Sequence, residues 1–252
     1  DLAKAKMRQM GVPDSVRSKI AIVDSGFDSS RADLFQNAVK TRRGIEPGDE
    51  HPTKEWYKPR GKIGDPTIDD VGHGTMVAGV ISGKYTGVTE GADVTVYRAT
   101  PSGAVGSASP TALEMAVWKA CKENKDPNGL TIVNFSWGGR IDEAGWKADE
   151  QDESRLEFFE RLMQEGCLVV KAAGNSTFRR GRKHNDIDDV FLRVGATDIS
   201  GRLAYFSTVG EVSAPGSQIF TTDSSQHRWF APERQCGGEN RFKFVNGTSL
   251  PL

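Results

Sequence analysis

The chain has 252 residues, a length that suits one large domain, and its 33 basic residues nearly balance its 34 acidic ones. At a formal net charge of −1, the composition gives no indication of nucleic acid or an anionic membrane as a partner. No apolar run is long enough to cross a bilayer. The first residues are polar and charged, which fits both a mature form that has lost its leader and a cytosolic protein.

Hydrophobic periodicity divides the chain into alternating strands and helices. Residues 1–19 are predicted to form a short helix that leads to the first strand. Further helices are predicted over 73–83, 111–124 and 153–165. Strands are predicted over 20–24, 92–98, 130–135, 167–173, 190–196, 203–206, 212–214 and 219–221. This alternation predicts a single α/β domain, with a mostly parallel central sheet and helices on both faces in three layers.

The stretch 41–70 is rich in glycine, proline and charge, and we interpret it as a surface loop or insertion. It contains three aspartates close in sequence, Asp65, Asp69 and Asp70. Two interpretations are open, a cation site and a solvated acidic loop. The loop is favoured, because a hard cation needs six or more converging oxygen ligands.

Four polar residues follow strands or open helices in a way that indicates chemistry. Asp24 ends the first strand, and His73 stands between two glycines where the apolar helix begins. Asn175 follows the strand 167–173, and Ser249 follows the turn Asn246-Gly247-Thr248. The chain order Asp, His, Ser is the order of the subtilisin triad and differs from that of chymotrypsin.

These motifs resemble those of the subtilisin-like serine proteases, the subtilase family or peptidase S8. Asp24-Ser25-Gly26 is similar to the Asp motif, Gly72-His73-Gly74-Thr75 to the His motif and Gly247-Thr248-Ser249 to the Ser motif. Ala172-Ala173-Gly174-Asn175 resembles the oxyanion-hole motif. The resemblance extends from about Lys19 to Ser249, and it implies a three-layer subtilisin-like fold and a serine endopeptidase.

The resemblance assigns a role to each of the four residues. Ser249 would be the nucleophile and His73 the base that takes its proton and later protonates the leaving amine. Asp24 would hold the imidazole in the right tautomer and stabilise the imidazolium. The side-chain amide of Asn175 and the backbone N–H of Ser249 would bind the oxyanion.

The resemblance also implies where a polypeptide substrate binds. The segment Ser136-Trp137-Gly138 would pair with the substrate as a strand, and the loop containing Gly103 would pair with its other side. Ala173 and Gly174 would form a wall of the S1 pocket. We expect a polypeptide substrate, with a propeptide or an inhibitor as further partners, and neither nucleic acid nor membrane.

No cofactor is expected, and the short segment between Lys84 and Ala92 lacks the loop that builds the strong calcium site of many subtilisins. The basic run 179–184 is interpreted as a solvated loop, with a role in choosing acidic substrates as the alternative. The three cysteines, Cys121, Cys167 and Cys236, are interpreted as buried thiols, although one pair could bridge. The compartment stays open, and the resemblance favours secretion.

The sequence ends at Leu252, directly after the predicted nucleophile, where the family continues with a buried helix. We therefore expect residues 1–252 to be one subtilisin-like peptidase domain truncated just after Ser249, or one completed by a second chain. Two alternatives to an endopeptidase remain at this stage. One is a catalytically silent subtilase fold, and the other is a transpeptidase of the macrocyclase type.

Overall fold

A seven-stranded sheet forms the centre of the protein in a computed structural model. The structure describes residue 9 and residues 18–52, 63–89, 91–101, 108–126, 130–136, 148–175, 190–226, 235–236 and 241–250. The strands of this sheet are β1 (Lys19–Asp24), β2 (Lys40–Arg43), β3 (Asp93–Arg98), β4 (Thr131–Phe135), β5 (Cys167–Ala172), β6 (Leu192–Thr197) and β7 (Val212–Pro215). Their order is β2-β3-β1-β4-β5-β6-β7, and every neighbouring pair is parallel.

Among the described residues, three α-helices cover the two faces of this sheet: α1 (His73–Ser82), α2 (Pro110–Glu123) and α3 (Ala148–Gln164). Successive side chains of a strand point to opposite faces. In β1, Ala21 and Val23 belong to one hydrophobic core together with residues of α2 and α3, whereas Ile20 and Ile22 belong to another together with residues of α1. Both faces of β1 are therefore buried, which explains its continuous apolar sequence. The predicted α/β class, with helices on both faces, is confirmed.

A second, antiparallel sheet precedes the predicted nucleophile. It consists of β8 (Ile219–Thr222), β9 (Gln235–Cys236) and β10 (Phe242–Val245), in the order β8-β10-β9. The hydroxyl of Thr221 donates to the carbonyl oxygen of Met76 in α1, at 2.7 Å. This sheet therefore holds the chain before Ser249 against the helix that begins at His73.

Most predicted elements agree with the structure, and three differ from it. The predicted strand 203–206 is wrong: Leu203 forms only an isolated bridge to Thr197. The predicted strand 219–221 exists as β8 but lies in the antiparallel sheet. Lys40–Arg43, which overlaps the predicted loop 41–70, is the edge strand β2. The predicted helix in residues 1–19 lies almost entirely outside the described residues.

Cys121 and Cys167 form a disulfide between the end of α2 and the start of β5, with their Cα atoms 5.8 Å apart. For these two residues the interpretation as buried thiols is wrong and the alternative of one bridged pair is right, because the fold places a helix end beside a strand start 46 residues away. The side chain of Cys236 lies outside the described residues. In the described part of the chain, no helix combines the length and the apolar character that a membrane span requires.

Candidate active site

Asp24 and His73 meet at the carboxyl end of β1. Asp24 is the last residue of β1, and His73 is the first residue of α1, after Gly72 in a left-handed conformation with φ of 86°. A Cβ atom on Gly74 would lie 2.2 Å from the carbonyl oxygen of Gly26. The glycine at position 74 therefore lets the start of α1 approach the end of β1 closely enough for the two side chains to touch.

The imidazole of His73 is hydrogen bonded to the Asp24 carboxylate. Nδ1 of His73 lies 2.9 Å from Oδ1 and 2.8 Å from Oδ2 of Asp24. A carboxylate is an acceptor, so Nδ1 carries the proton and donates it, which leaves Nε2 with the lone pair. Within the described residues, Nε2 has no hydrogen-bond partner, and 23% of the His73 side chain is exposed. The ring is thus oriented with a basic nitrogen available at the surface.

The charges around His73 favour its protonated form. Burial of the ring opposes the imidazolium, but the neighbouring Asp24 carboxylate, its hydrogen bond and the charge of Asp69 outweigh this effect and raise the pKa of His73 above its usual value. Lys243 acts in the opposite direction. An imidazole in this environment can accept a proton and hold it as a stabilised cation.

Ser249 lies in a turn after β10, beside the end of β4. Its hydroxyl points toward the carbonyl oxygen of Ser136, at 3.5 Å, and its own carbonyl oxygen lies 3.1 Å from the Ser136 hydroxyl. Within the described residues, Ser249 and His73 are not hydrogen bonded to each other. The structure therefore brings together Asp24 with His73, and Ser249 with Ser136, as two pairs.

The amide of Asn175 is held in one orientation by Thr248, the neighbour of Ser249. Oδ1 of Asn175 accepts from the backbone N–H of Thr248 at 2.8 Å and from its hydroxyl at 2.9 Å. The hydroxyl of Thr248 in turn accepts from the backbone N–H of Gly174 at 3.0 Å, so its own proton is directed at Asn175. Because Oδ1 faces these two donors, Nδ2 points away from Thr248. Asn175 is exposed, so Nδ2 is available to donate a hydrogen bond.

Three of the six predicted substrate-binding residues can be placed. Ser136, with its side chain buried, follows β4 and donates to Oδ1 of Asn134 at 2.6 Å. Ala173 continues the sheet, because its N–H donates to the carbonyl of Val194. Gly174 has a φ of 110°. Its N–H donates to the hydroxyl of Thr248, and its carbonyl oxygen accepts from the N–H of Thr208. Gly103, Trp137 and Gly138 lie outside the described residues, as does the basic run 179–184.

The three aspartates of the acidic loop do not act together. Asp65 accepts from Thr67 in a local turn, and Asp70 pairs with Arg98 at 2.8 Å. Asp69 is fully buried and accepts hydrogen bonds from the start of α1. Among the described residues, no group of three or more His, Cys, Asp or Glu side chains is arranged to hold a metal ion. The interpretation as a solvated loop agrees with Asp65, which is exposed, and is wrong for Asp69, which is buried.

Sequence reasoning missed three residues that contact the proposed catalytic groups or the segments that carry them. Ser25 donates through its backbone N–H to Asp24, Thr248 orients Asn175, and Asp69 contacts both Ser25 and α1. Ser25 and Thr248 lie inside the motifs of the sequence analysis. Each has a hydroxyl side chain and is adjacent to a predicted triad residue, Asp24 or Ser249, and this adjacency could have indicated their roles. Asp69 carried no such signal, because nothing in the sequence distinguishes it from Asp65 and Asp70.

The chain matches the family model described as "Subtilase family" over residues 17–250. Among curated proteins it is 30% identical over 192 residues to subtilisin-like protease 3 of Pseudogymnoascus destructans, covering 74% of this chain and 42% of that protein. It is 32% identical over 204 residues to alkaline protease 1 of Aspergillus clavatus, covering 79% and 43%. The chain therefore spans about two fifths of the length of these relatives.

The fold has close counterparts among solved structures. The crystal structure of the epidermin leader peptide processing serine protease from Staphylococcus aureus aligns with a TM-score of 0.65 at 21% identity, covering 95% of this chain and 63% of that one. A cold adapted subtilisin-like serine proteinase aligns with a TM-score of 0.64 at 20% identity, covering 93% and 70%. The predicted subtilisin-like architecture is confirmed.

Proposed function

We propose that this chain, which belongs to the subtilase family, is a serine endopeptidase that hydrolyses polypeptides through an acyl-enzyme on Ser249. The observation that carries the proposal is the contact of His73 Nδ1 with both carboxylate oxygens of Asp24. This contact fixes the tautomer in which Nε2 is the base, and it provides the charge that stabilises the imidazolium after proton transfer.

In the proposed reaction, the hydroxyl of Ser249 turns from the Ser136 carbonyl toward Nε2 of His73 when a substrate binds. A serine side chain moves between staggered rotamers, and the 3.5 Å contact that it leaves is a weak one. Nε2 takes the hydroxyl proton as Ser249 Oγ attacks the scissile carbonyl, and it then passes this proton to the leaving amine. Water repeats the sequence to release the acid and restore Ser249.

The oxyanion of the tetrahedral intermediate is proposed to bind the Nδ2 group of Asn175 and the backbone N–H of Ser249. Support comes from the two hydrogen bonds that Thr248 donates to Oδ1 of Asn175, since they orient Nδ2 before any substrate arrives. Donors that are fixed in advance need no reorganisation during the reaction, which is the source of their catalytic effect.

We further propose that the substrate binds as an extended strand along Ser136-Trp137-Gly138 and the loop containing Gly103, with Ala173 and Gly174 beside the S1 side chain. Position supports this assignment: Ser136 follows β4, and Ala173 and Gly174 follow the neighbouring strand β5. Main-chain pairing would bind many sequences, so specificity would depend on the pockets.

The test is labelling of the full-length protein with a fluorophosphonate probe, followed by peptide mapping and by hydrolysis of a peptide substrate. We expect one adduct, on Ser249, and its loss in the Ser249→Ala and His73→Ala variants. Failure of folded wild-type protein to form the Ser249 adduct would contradict the proposal and leave a silent subtilase fold. If the adduct forms but an added amine captures the acyl group in preference to water, the enzyme is a transpeptidase.

A further inference from the structure

Asp69 is a fully buried carboxylate that the proposed reaction does not use. It lies in the loop before α1, and its backbone is anchored on both sides. Its N–H donates to Oε1 of Gln226 at 2.8 Å, and its carbonyl oxygen accepts from the Ser224 hydroxyl at 2.9 Å. Burying a charged group without partners is costly, so the contacts of this carboxylate need an explanation.

The carboxylate of Asp69 accepts four hydrogen bonds. Oδ1 accepts from the Ser25 hydroxyl at 2.7 Å and from the Gly72 N–H at 2.8 Å. Oδ2 accepts from the N–H and the hydroxyl of Thr75, at 2.8 and 2.6 Å. The Thr75 hydroxyl itself accepts from the N–H of Asp28 at 2.9 Å, which directs its proton at Asp69. Burial raises the pKa of the Asp69 carboxyl above its usual value, and the donors that face both of its oxygens oppose this shift by favouring the ionised acceptor.

One branch of this network reaches Asp24 through Ser25. The Ser25 hydroxyl lies 2.7 Å from Asp69 and 3.1 Å from Oδ1 of Asp24, and it accepts from the N–H of Gly74 at 3.0 Å. The backbone N–H of Ser25 donates to the same Oδ1 at 2.7 Å. Asp69 therefore holds the residue that contacts Oδ1 of the Asp24 carboxylate, an oxygen that His73 Nδ1 also contacts.

The other branch fixes the first turn of α1, which contains His73. The residue before the helix is Gly72, which has no side chain to accept a hydrogen bond from the first turn. Asp69 takes this role from three residues further back by binding the N–H groups of Gly72 and Thr75, which flank His73 in sequence. A negative group at a helix N-terminus also interacts favourably with the helix dipole.

We propose that Asp69 is a positioning residue that holds Asp24 and His73 in register, through Ser25 on one side and the start of α1 on the other. This inference rests on the proposed endopeptidase function and deepens it, because it identifies what keeps the two catalytic side chains together. A displacement of about 1 Å in such a pair can lower turnover about 100-fold, so support of this kind has a measurable effect.

The decisive variant is Asp69→Asn, which preserves size but replaces one acceptor by an NH2 group that faces N–H and O–H donors. We expect kcat for peptide hydrolysis to fall about 10- to 100-fold, with KM changing much less. The matched control is Asp65→Asn in the same loop, where the side chain is exposed and an amide oxygen can still accept from Thr67. The control should retain wild-type kcat and KM.

A second readout follows the His73 imidazole by NMR during a pH titration. The charged groups that face the ring are Asp24, Asp69 and Lys243. Removing the charge of Asp69 should lower the pKa of His73, whereas Asp65→Asn should not move it. This measurement does not depend on turnover, so it tests Asp69 even if Ser249 of the wild type fails to react with the probe and the endopeptidase proposal fails.

The inference is overturned if folded Asp69→Asn protein matches the Asp65→Asn control in both kcat and the His73 titration. If Asp69→Asn does not fold, Ser25→Ala carries the test, because it removes the link to Asp24 and retains the contacts of Asp69 with α1. Reduced kcat in folded Ser25→Ala protein would support the inference, and wild-type kcat would overturn it.

Discussion

The protonation of His73 connects the geometry of the site with its dependence on pH. Burial opposes the imidazolium, but Asp24, its hydrogen bond and Asp69 raise the pKa of His73. The base is neutral only above this raised pKa, so we expect kcat/KM to increase with pH through a value above that of an ordinary histidine. The stability that the His73–Asp24 contact contributes has the opposite trend: it is present below the unfolded-state pKa and is lost as pH rises through the folded-state value.

The measurement is kcat/KM as a function of pH for wild type and Lys243→Met, and the relevant part is the acid limb, the range in which kcat/KM rises with pH. Lys243 lowers the pKa of His73, so its removal should shift the limb to higher pH. An acid limb at or below the ordinary histidine pKa, or a shift to lower pH in Lys243→Met, would show that another group controls the profile.

A second residue-scale prediction concerns the donor of Asn175. The variant Asn175→Asp retains an oxygen that accepts from Thr248 but has no Nδ2 donor and adds a negative charge beside the oxyanion. We expect kcat to fall by at least about 10²- to 10³-fold, the usual cost of losing one oxyanion donor, with little change in KM. Steady-state kinetics on one peptide decide this, with Asp65→Asn as the control. Equal kcat in wild type and Asn175→Asp would remove Asn175 from the reaction.

Among the secondary-structure elements, α2 and α3 are joined by a buried ion pair. Glu114, with 1% of its side chain exposed, contacts Nε of Arg155 in α3 and Nε2 of His51 at 3.4 Å. Neutralising Glu114 leaves the mostly buried guanidinium of Arg155 without its counter-charge. We therefore expect Glu114→Gln to lower the free energy of unfolding by about 3 kcal/mol.

Urea unfolding measures this loss, and Glu165→Gln is the matched control. Glu165 pairs with Lys122 at the surface, where both side chains are about one third exposed, and such pairs contribute less than about 1 kcal/mol. Equal losses in the two variants would show that burial of the Glu114 pair has no special effect.

The elements that the sequence predicts well are those with a strong apolar pattern, either periodic or continuous. Helix α1, predicted over 73–83, spans His73–Ser82, and its residues after His73 are all buried, in agreement with the continuous apolar run that predicted it. Strand β2 was missed because Lys40-Thr41-Arg42-Arg43 has no apolar alternation, and it pairs only along one edge through its backbone. The stretch 203–206 has strand-forming residues, but Tyr205 is 84% exposed and Ala204 accepts in a turn from Ser207.

At the scale of the whole molecule, the parallel sheet explains why distant motifs form one region. The ends of parallel strands with the same polarity share one edge, and ligand sites of such sheets lie at the carboxyl end. Asp24 ends β1, Ser136 follows β4, and Asn175 follows the neighbouring strand β5. These positions could be predicted because each motif follows a strand that apolar patterning identifies, whereas the hydrogen bonds of Ser25, Thr248 and Asp69 depend on loop geometry that periodicity does not encode.

The disulfide lies on the face of the sheet that α2 and α3 cover. We expect its removal to lower the stability of the whole domain. It links residues 46 positions apart, and in the chain-entropy account closing such a loop stabilises the folded state by about 4 kcal/mol. Both cysteines belong to the buried core of that face, so the cross-link ties α2 directly to β5. We expect the double variant Cys121→Ala/Cys167→Ala to melt about 10 °C below the wild type.

Reduction of the wild type separates the cross-link from the loss of the two sulfur atoms, because reduced protein retains both side chains in the core. If the cross-link stabilises the domain, reduction should lower the melting temperature of the wild type by most of the difference seen in the double variant. The double variant itself should not respond to reductant. A wild type that melts at the same temperature with and without reductant, after thiol counting has verified reduction, would show that core packing alone holds α2 against β5.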